Sequence, residues 1–246
     1  MQPPFDFPDI IDEELLRNDR SIFADIGADI EDALTRDQVA GLRISDVGNC
    51  ALQQWAKCHN EFTMPRDPTT QWSRLMAGSL FGALLGRIFK AAMDRREVDC
   101  LLEREVAIDG IPGHIDVTLP EYKHVYELKS NYNLGPKKPS FSHWLQAGMY
   151  IDALDGDYTA SVVLIQPTIA GTRPRLYEYP CEDVAEIIEQ SRRESLRLRR
   201  ASGAIVPPEP DVSKDEAWRC ASCQYGRCGQ NKNPLKGKVF LEPVAA

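Results

Sequence analysis

Hydrophobic and polar positions along the chain follow two periods. Gly113–Leu119 and Val125–Ser130 alternate polar and apolar side chains, which predicts two strands, and residues 100–108 read as a third before them. Pro120-Glu-Tyr-Lys123 lies between the last two and reads as a hairpin loop. Ser161–Gln166 is a short apolar run that fits a buried strand, and Arg175–Tyr179 fits another. Helical spacing appears at about 45–58, with Ser45 as its expected N-cap, and again at 71–94, 141–154 and 183–201. Helix, three strands, helix, strand is the order of an α/β protein with a mixed central sheet flanked by helices.

The hairpin carries candidate chemistry. Side chains two apart on a strand share a face, so Asp116 goes with His114 and Thr118, and Glu127 with Lys129. Ile115 and Val117 are expected together on the other face, as are Tyr126 and Leu128. If Leu119 pairs with His124, Asp116 falls directly opposite Glu127. Facing carboxylates repel and weaken a sheet; a divalent cation between them removes that cost. Lys129 then stands where it can hold or deprotonate a water. The pattern proposes a hard-metal site of oxygen ligands with an ammonium beside it. Gln146 and Tyr150, four apart on the helix that follows, share a face and can hydrogen-bond a phosphate or a water. On the helix 71–94, Gly78, Gly82 and Gly86 recur every fourth residue, a spacing that lets a backbone or a ligand come close.

Charge changes the picture in one respect. The net charge is −8, yet residues 1–40 hold 11 of the 37 acidic residues and 3 of the 29 basic ones. The remainder is neutral. Residues 1–43 therefore read as an acidic arm, either a solvated helical segment or a flap that docks a basic partner. The hydrophobic fraction of 43% supports a real core. The acidic N-terminus lacks the basic-then-apolar pattern of a secretory leader. The most apolar run, Leu75–Gly86, is too short to span a bilayer. Both point to a cytoplasmic protein without a membrane partner.

Seven cysteines in a reducing compartment suggest metal binding rather than disulfides. Cys220, Cys223 and Cys228 crowd together after a proline-rich linker at 207–210. A closed site needs a fourth thiolate, from Cys50, Cys58, Cys100 or Cys181, and would suit a 4Fe-4S cluster or a zinc ion. Five arginines between Arg192 and Arg200 form either a solvated helix paired with Glu189 and Glu194 or a contact to a nucleic-acid backbone.

Together, Gly113-His-Ile-Asp116, Glu127-Leu-Lys129, Gln146-x3-Tyr150, Ser45-x4-Cys50 and the C-terminal cysteine trio resemble the RecB-type branch of the PD-(D/E)XK nuclease superfamily. They are most similar to the CRISPR-associated and phage-encoded iron–sulfur exonucleases. The resemblance covers residues 44 to 229 and implies a restriction-endonuclease-like core (44–206) with a C-terminal cysteine segment (207–246). It implies a metal-dependent DNA exonuclease acting on single-stranded or duplex ends. Asp116, Glu127 and the Leu128 carbonyl would bind Mg²⁺ or Mn²⁺, Lys129 would position the attacking water, and Gln146 and Tyr150 would hold the phosphate or the lysine. Cys50, Cys220, Cys223 and Cys228 would bind a 4Fe-4S cluster, leaving Cys58 aside. Lys137, Lys138, Arg192, Arg193 and Arg197 are the expected DNA contacts. The expected partners are DNA, recombination or CRISPR-adaptation proteins and further copies of the chain. One departure stands out: the family often carries a histidine ligand in a Gly-x3-His pattern, and here Gly82 occupies that place. The metal would keep an extra water or find another ligand, and the alternative is a weak or inactive nuclease fold that binds DNA as an adaptor.

Overall fold

The computed structural model describes residues 3–17, 41–61, 70–130, 138–155, 157–166, 174–212, 220, 223, 225 and 227–230, with the backbone alone for 70–77 and 79. In chain order the elements are α1 (Phe7–Arg17), a 3-10 turn (Ile44–Asp46), α2 (Ala51–Cys58) and α3 (Thr70–Arg95). Then come β1 (Leu101–Ile108), β2 (Ile111–Leu119), β3 (His124–Ser130), α4 (Phe141–Ala153), β4 (Thr159–Gln166), β5 (Arg175–Pro180) and α5 (Val184–Ser202). The strands form one five-stranded sheet in the order β1-β2-β3-β4-β5. Only β3 and β4 run parallel, joined through α4 as a parallel pair requires. The protein is therefore α/β with a mixed sheet, as the sequence predicts.

Helices cover both faces. On one, α1 and α3 pack Phe7, Ile11, Leu85, Phe89 and Met93 against Val117, Tyr126, Leu128, Val163 and Ile165. On the other, the 3-10 turn, α4 and α5 pack Ile44, Leu145, Met149, Ile151 and Leu198 against Ile115, Val125 and Ala160. The helices α4 and α5 approach closely at Gly148, where a Cβ would meet the Ile187 carbonyl oxygen at 2.8 Å. A third cluster joins Leu52, Trp55 and Ala56 of α2 to Tyr225 and Cys228.

Two expectations are corrected here. Residues 5–17 are not a solvated arm. Phe7 is fully buried and stacks on Phe89 with ring centroids 4.4 Å apart. The Tyr126 hydroxyl donates to the Phe5 carbonyl (2.9 Å), and the buried Glu14 carboxylate pairs with Arg95. The apolar residues Phe7, Ile10 and Ile11 sit at helical spacing, and burying them outweighs the acidic composition around them. The rest of the acidic segment, 18–40, lies outside the described residues. Nor does Ser45 cap a helix. The α2 helix begins six residues later with Cys50 at its N-cap, because Asp46 takes the turn instead, accepting from the Arg43 N–H (2.9 Å) and from Lys57 (2.7 Å).

Candidate active site and cysteine pocket

The hairpin turn sets the site. Lys123 closes the loop by donating to the Pro120 carbonyl, and Leu119 pairs with His124. That register continues through Thr118–Val125 and Val117–Tyr126, which brings Asp116 level with Glu127 as the sequence predicts. The regular ladder stops there. The Leu128 N–H donates to Asp116 Oδ2 at 2.6 Å, so a side chain takes over the role of the backbone partner.

The face of β2 reverses at this point. Val117 and Leu119 face α3, while Ile115 belongs to the cluster under α4. The expectation that Ile115 and Val117 share a face is therefore overturned. On β1, Leu102 packs toward α3 and Val106 and Ile108 toward α4, the same reversal. The break lies at Glu103, whose φ of 49° is in the left-handed region. Leu102 pairs with Val117 and Arg104 with Ile115, so Glu103 stands opposite Asp116. A left-handed glutamate in a strand is strained and bends it.

Glu127 is 1% exposed and Lys129 forms an ion pair with its Oε1. The other oxygen, Oε2, is buried with no hydrogen-bond partner. Above the pair, Tyr150 and Gln146 of α4 are buried, and Gln146 Nε2 donates to the Tyr150 hydroxyl at 2.8 Å. Burial first, then the charges of Glu127 and Glu103, hold the Asp116 carboxyl well above the usual carboxylate range. Burial also pushes Glu127 up, against the pull of Lys129. For Lys129, burial alone would lower the pKa, but Glu127 and Asp116 outweigh it and hold it above the ordinary lysine value. It is therefore an ammonium, a donor and a counter-charge rather than a base. The Tyr150 phenol is driven well above its ordinary value by burial and by the two carboxylates, so it stays protonated and can donate.

Among the described residues, no group of three or more His, Cys, Asp or Glu side chains is already arranged to hold a metal ion. Two features of the carboxylate pair nonetheless suit a divalent cation: an orphaned buried oxygen on Glu127, and two acids whose ionised forms burial disfavours. Along α3, a Cβ at Gly78 would lie 3.1 Å from Ser130 Oγ and one at Gly86 would lie 3.5 Å from Leu102. A Cβ at Gly82, one turn from each, would meet nothing within 4 Å. The helix thus passes beside Ser130 and Leu102, and Gly82 brings no side chain of its own.

The cysteines gather elsewhere. Cys50, Cys220, Cys223 and Cys228 line a single pocket with Leu52, Gln53, Pro210, Val212 and Tyr225. None of the four is in a disulfide. Burial chiefly, then the other three thiols, pushes Cys223 up. Cys58 does not line this pocket, and Cys100 and Cys181 are buried in the two main cores.

The arginine run is largely neutralised. Arg192 pairs with Asp152, Arg193 with Glu189, and Arg199 with Asp109. Arg197 turns inward to Glu194, Asp211 and the Asn49 carbonyl (2.8 Å). Asp211 in turn accepts from the Ala51 N–H at 2.8 Å. Arg197 thus fastens the linker before the cysteine trio to the start of α2, a role its place in a charge run does not suggest. Lys138 is exposed, and Lys137 lies outside the described residues.

No protein-family model and no curated protein matches the chain. Among solved structures, the crystal structure of a protein called SSO0001 is similar in fold, with a TM-score of 0.50 and 17% sequence identity. The likeness covers 84% of this chain and 95% of that one. It supports the α/β arrangement of a mixed sheet between helices. Among the described residues, no helix is long and apolar enough to cross a membrane.

Proposed function

We propose that the chain is a metal-dependent deoxyribonuclease with a restriction-endonuclease-like core, acting at DNA ends, whose C-terminal segment is held by a 4Fe-4S cluster. The observation that carries this reading is the Glu127 carboxylate: buried, opposite Asp116, paired through one oxygen with Lys129 and unpartnered at the other.

Asp116 and Glu127 would hold Mg²⁺ or Mn²⁺, with the Leu128 carbonyl in the same stretch of β3. Such an ion supplies positive charge against the phosphate as its charge redistributes. Lys129 orients the attacking water through its ammonium hydrogens and balances the negative charge that builds up. The Tyr150 hydroxyl, accepting from Gln146, keeps its own proton to donate to a phosphate oxygen or to steady Lys129. The α4 helix covers the site and limits access of bulk water, which strengthens each of these contacts. Cys50 at the N-terminus of α2, with Cys220, Cys223 and Cys228, would bind the cluster and tie the two ends of the core together.

The test is to incubate anaerobically purified protein with end-labelled single- and double-stranded DNA, with Mn²⁺, Mg²⁺ or EDTA. Degradation with metal and none with EDTA is the expected result. Binding of DNA ends with no degradation under any metal would replace the enzyme with an adaptor built on the same fold.

A further inference from the structure

We propose that Asp211, held by Arg197, is the residue that positions Cys50 for the iron–sulfur cluster. This rests on the cluster reading of the cysteine pocket, and it says how one thiolate early in the chain is kept in place for three near its end.

Both peptide groups that flank Cys50 are gripped from outside α2. The carbonyl of Asn49, on one side of Cys50, accepts from Arg197 Nη2 at 2.8 Å. The N–H of Ala51, on the other side, donates to Asp211 Oδ1 at 2.8 Å. Arg197 and Asp211 pair with each other, so the two grips close into one clasp around a single residue. Glu194 accepts from Nε of the same guanidinium at 2.8 Å and ties it to α5. Asp211 stands between Pro210 and Val212, which both line the cysteine pocket. Burial pushes the Cys50 thiol up, and the backbone N–H groups of Gln53 and Asp211 oppose it by favouring the ionised sulfur. The turn before Cys50 is seated as well. Gly48 has a φ of 78°, and a Cβ there would meet Ser142 Cβ of α4 at 2.7 Å.

The clasp adds little to the fold itself. Its two side chains are 35% and 38% exposed, and an ion pair so placed contributes about 0–1 kcal/mol. Its effect falls on geometry. A ligand whose two peptide bonds are already fixed has less freedom to lose on binding, and outer partners of this kind orient metal ligands. It also falls on charge. Both the guanidinium and the carboxylate act electrostatically on Cys50, and nearby charge sets the reduction potential of a cluster. The two groups therefore push that potential in opposite directions.

The experiment measures iron release to a ferrous chelator and the reduction potential of anaerobically purified, iron-loaded protein. Arg197→Gln, Arg197→Lys, Asp211→Ala and the Arg197→Gln/Asp211→Ala double variant are the tests. Arg192→Gln, which breaks another ion pair of α5, is the control. The control should release iron as wild type does. Arg197→Gln and Asp211→Ala should release it about 10- to 100-fold faster, the loss seen when partners of metal ligands are removed. The double variant should be no faster than the faster single, since the two residues act as one unit. Arg197→Gln should lower the potential and Asp211→Ala should raise it. Arg197→Lys keeps the charge but not the fork, so it should release iron faster with the potential held near wild type. Release at the wild-type rate from both Arg197→Lys and Asp211→Ala would overturn the proposal. So would potentials that stay put or move the same way while the metal-free variants melt lower, because the pair would then only fasten the linker. A wild type that carries no iron would refute the cluster itself, and the clasp with it.

Discussion

At the residue scale, the site is defined by groups kept in costly states. Asp116 and Glu127 both have raised pKa values in the folded protein. In the unfolded chain they would titrate at about 4. As pH rises above that value, the unfolded chain releases these protons first. The metal-free fold therefore loses stability through the window between the unfolded and folded values. The proposed divalent cation would replace the protons and remove the penalty. Mn²⁺ should raise the melting temperature more at pH 8 than at pH 5.5, where protons compete with the metal. Thermal melts with and without Mn²⁺ at the two pH values check this, and an equal increase at both would contradict it.

The hairpin was legible from sequence because its parts are local. A short loop sets the register, and the register sets which residues face each other. Glu103 was not legible. It sits in a strand, Leu101–Ile108, with no glycine or asparagine to mark a left-handed backbone. Only the pairing with β2 and the reversal of faces on both strands reveal it. The same holds for Arg197, whose partners Asn49 and Asp211 are distant or lie in a linker.

At the element scale, α3 and α4 bracket the sheet with different demands on their glycines. Gly148 is required by contact, since a Cβ there would run into Ser191 and Ile187 of α5. Gly82 is not, because a Cβ there would meet nothing. The open space suits either a ligand or water. Gly82→Ala should therefore raise stability by up to about 1 kcal/mol, the helix-propensity gain, while Gly148→Ala should lower it by about 1–3 kcal/mol through overpacking. Denaturant unfolding of both variants tests the pair. A destabilised Gly82→Ala protein would mean that the space is filled. The glycine spacing on α3 was visible in the sequence, but which glycine is crowded depends on strands that the spacing does not encode. For α1, the acidic composition obscured an apolar stripe of Phe7, Ile10 and Ile11 that tertiary packing uses fully.

At the scale of the whole molecule, the cysteine pocket joins segments about 170 residues apart, Cys50 to Cys220. The trio was legible as a cluster of thiols. The choice of Cys50 over Cys58, Cys100 and Cys181 as a ligand rests on resemblance; what the fold adds is that Cys50 lines one pocket with Cys220, Cys223 and Cys228. Protein purified without oxygen should carry about four irons per chain. Cys50→Ser and Cys223→Ser should lose the iron and lower the melting temperature, whereas Cys58→Ser should change neither. One zinc per chain and no iron would contradict the cluster.

The most direct test of the central claim is the rate at which Lys129→Ala degrades end-labelled DNA in Mn²⁺, measured beside its affinity for Mn²⁺. If Asp116, Glu127 and Lys129 form a hydrolytic centre, the variant should keep its fold and its metal and degrade DNA at least about 100-fold more slowly than wild type, the usual cost of losing a group that handles the attacking water. A folded Lys129→Ala protein that degrades DNA at the wild-type rate would place the chemistry elsewhere.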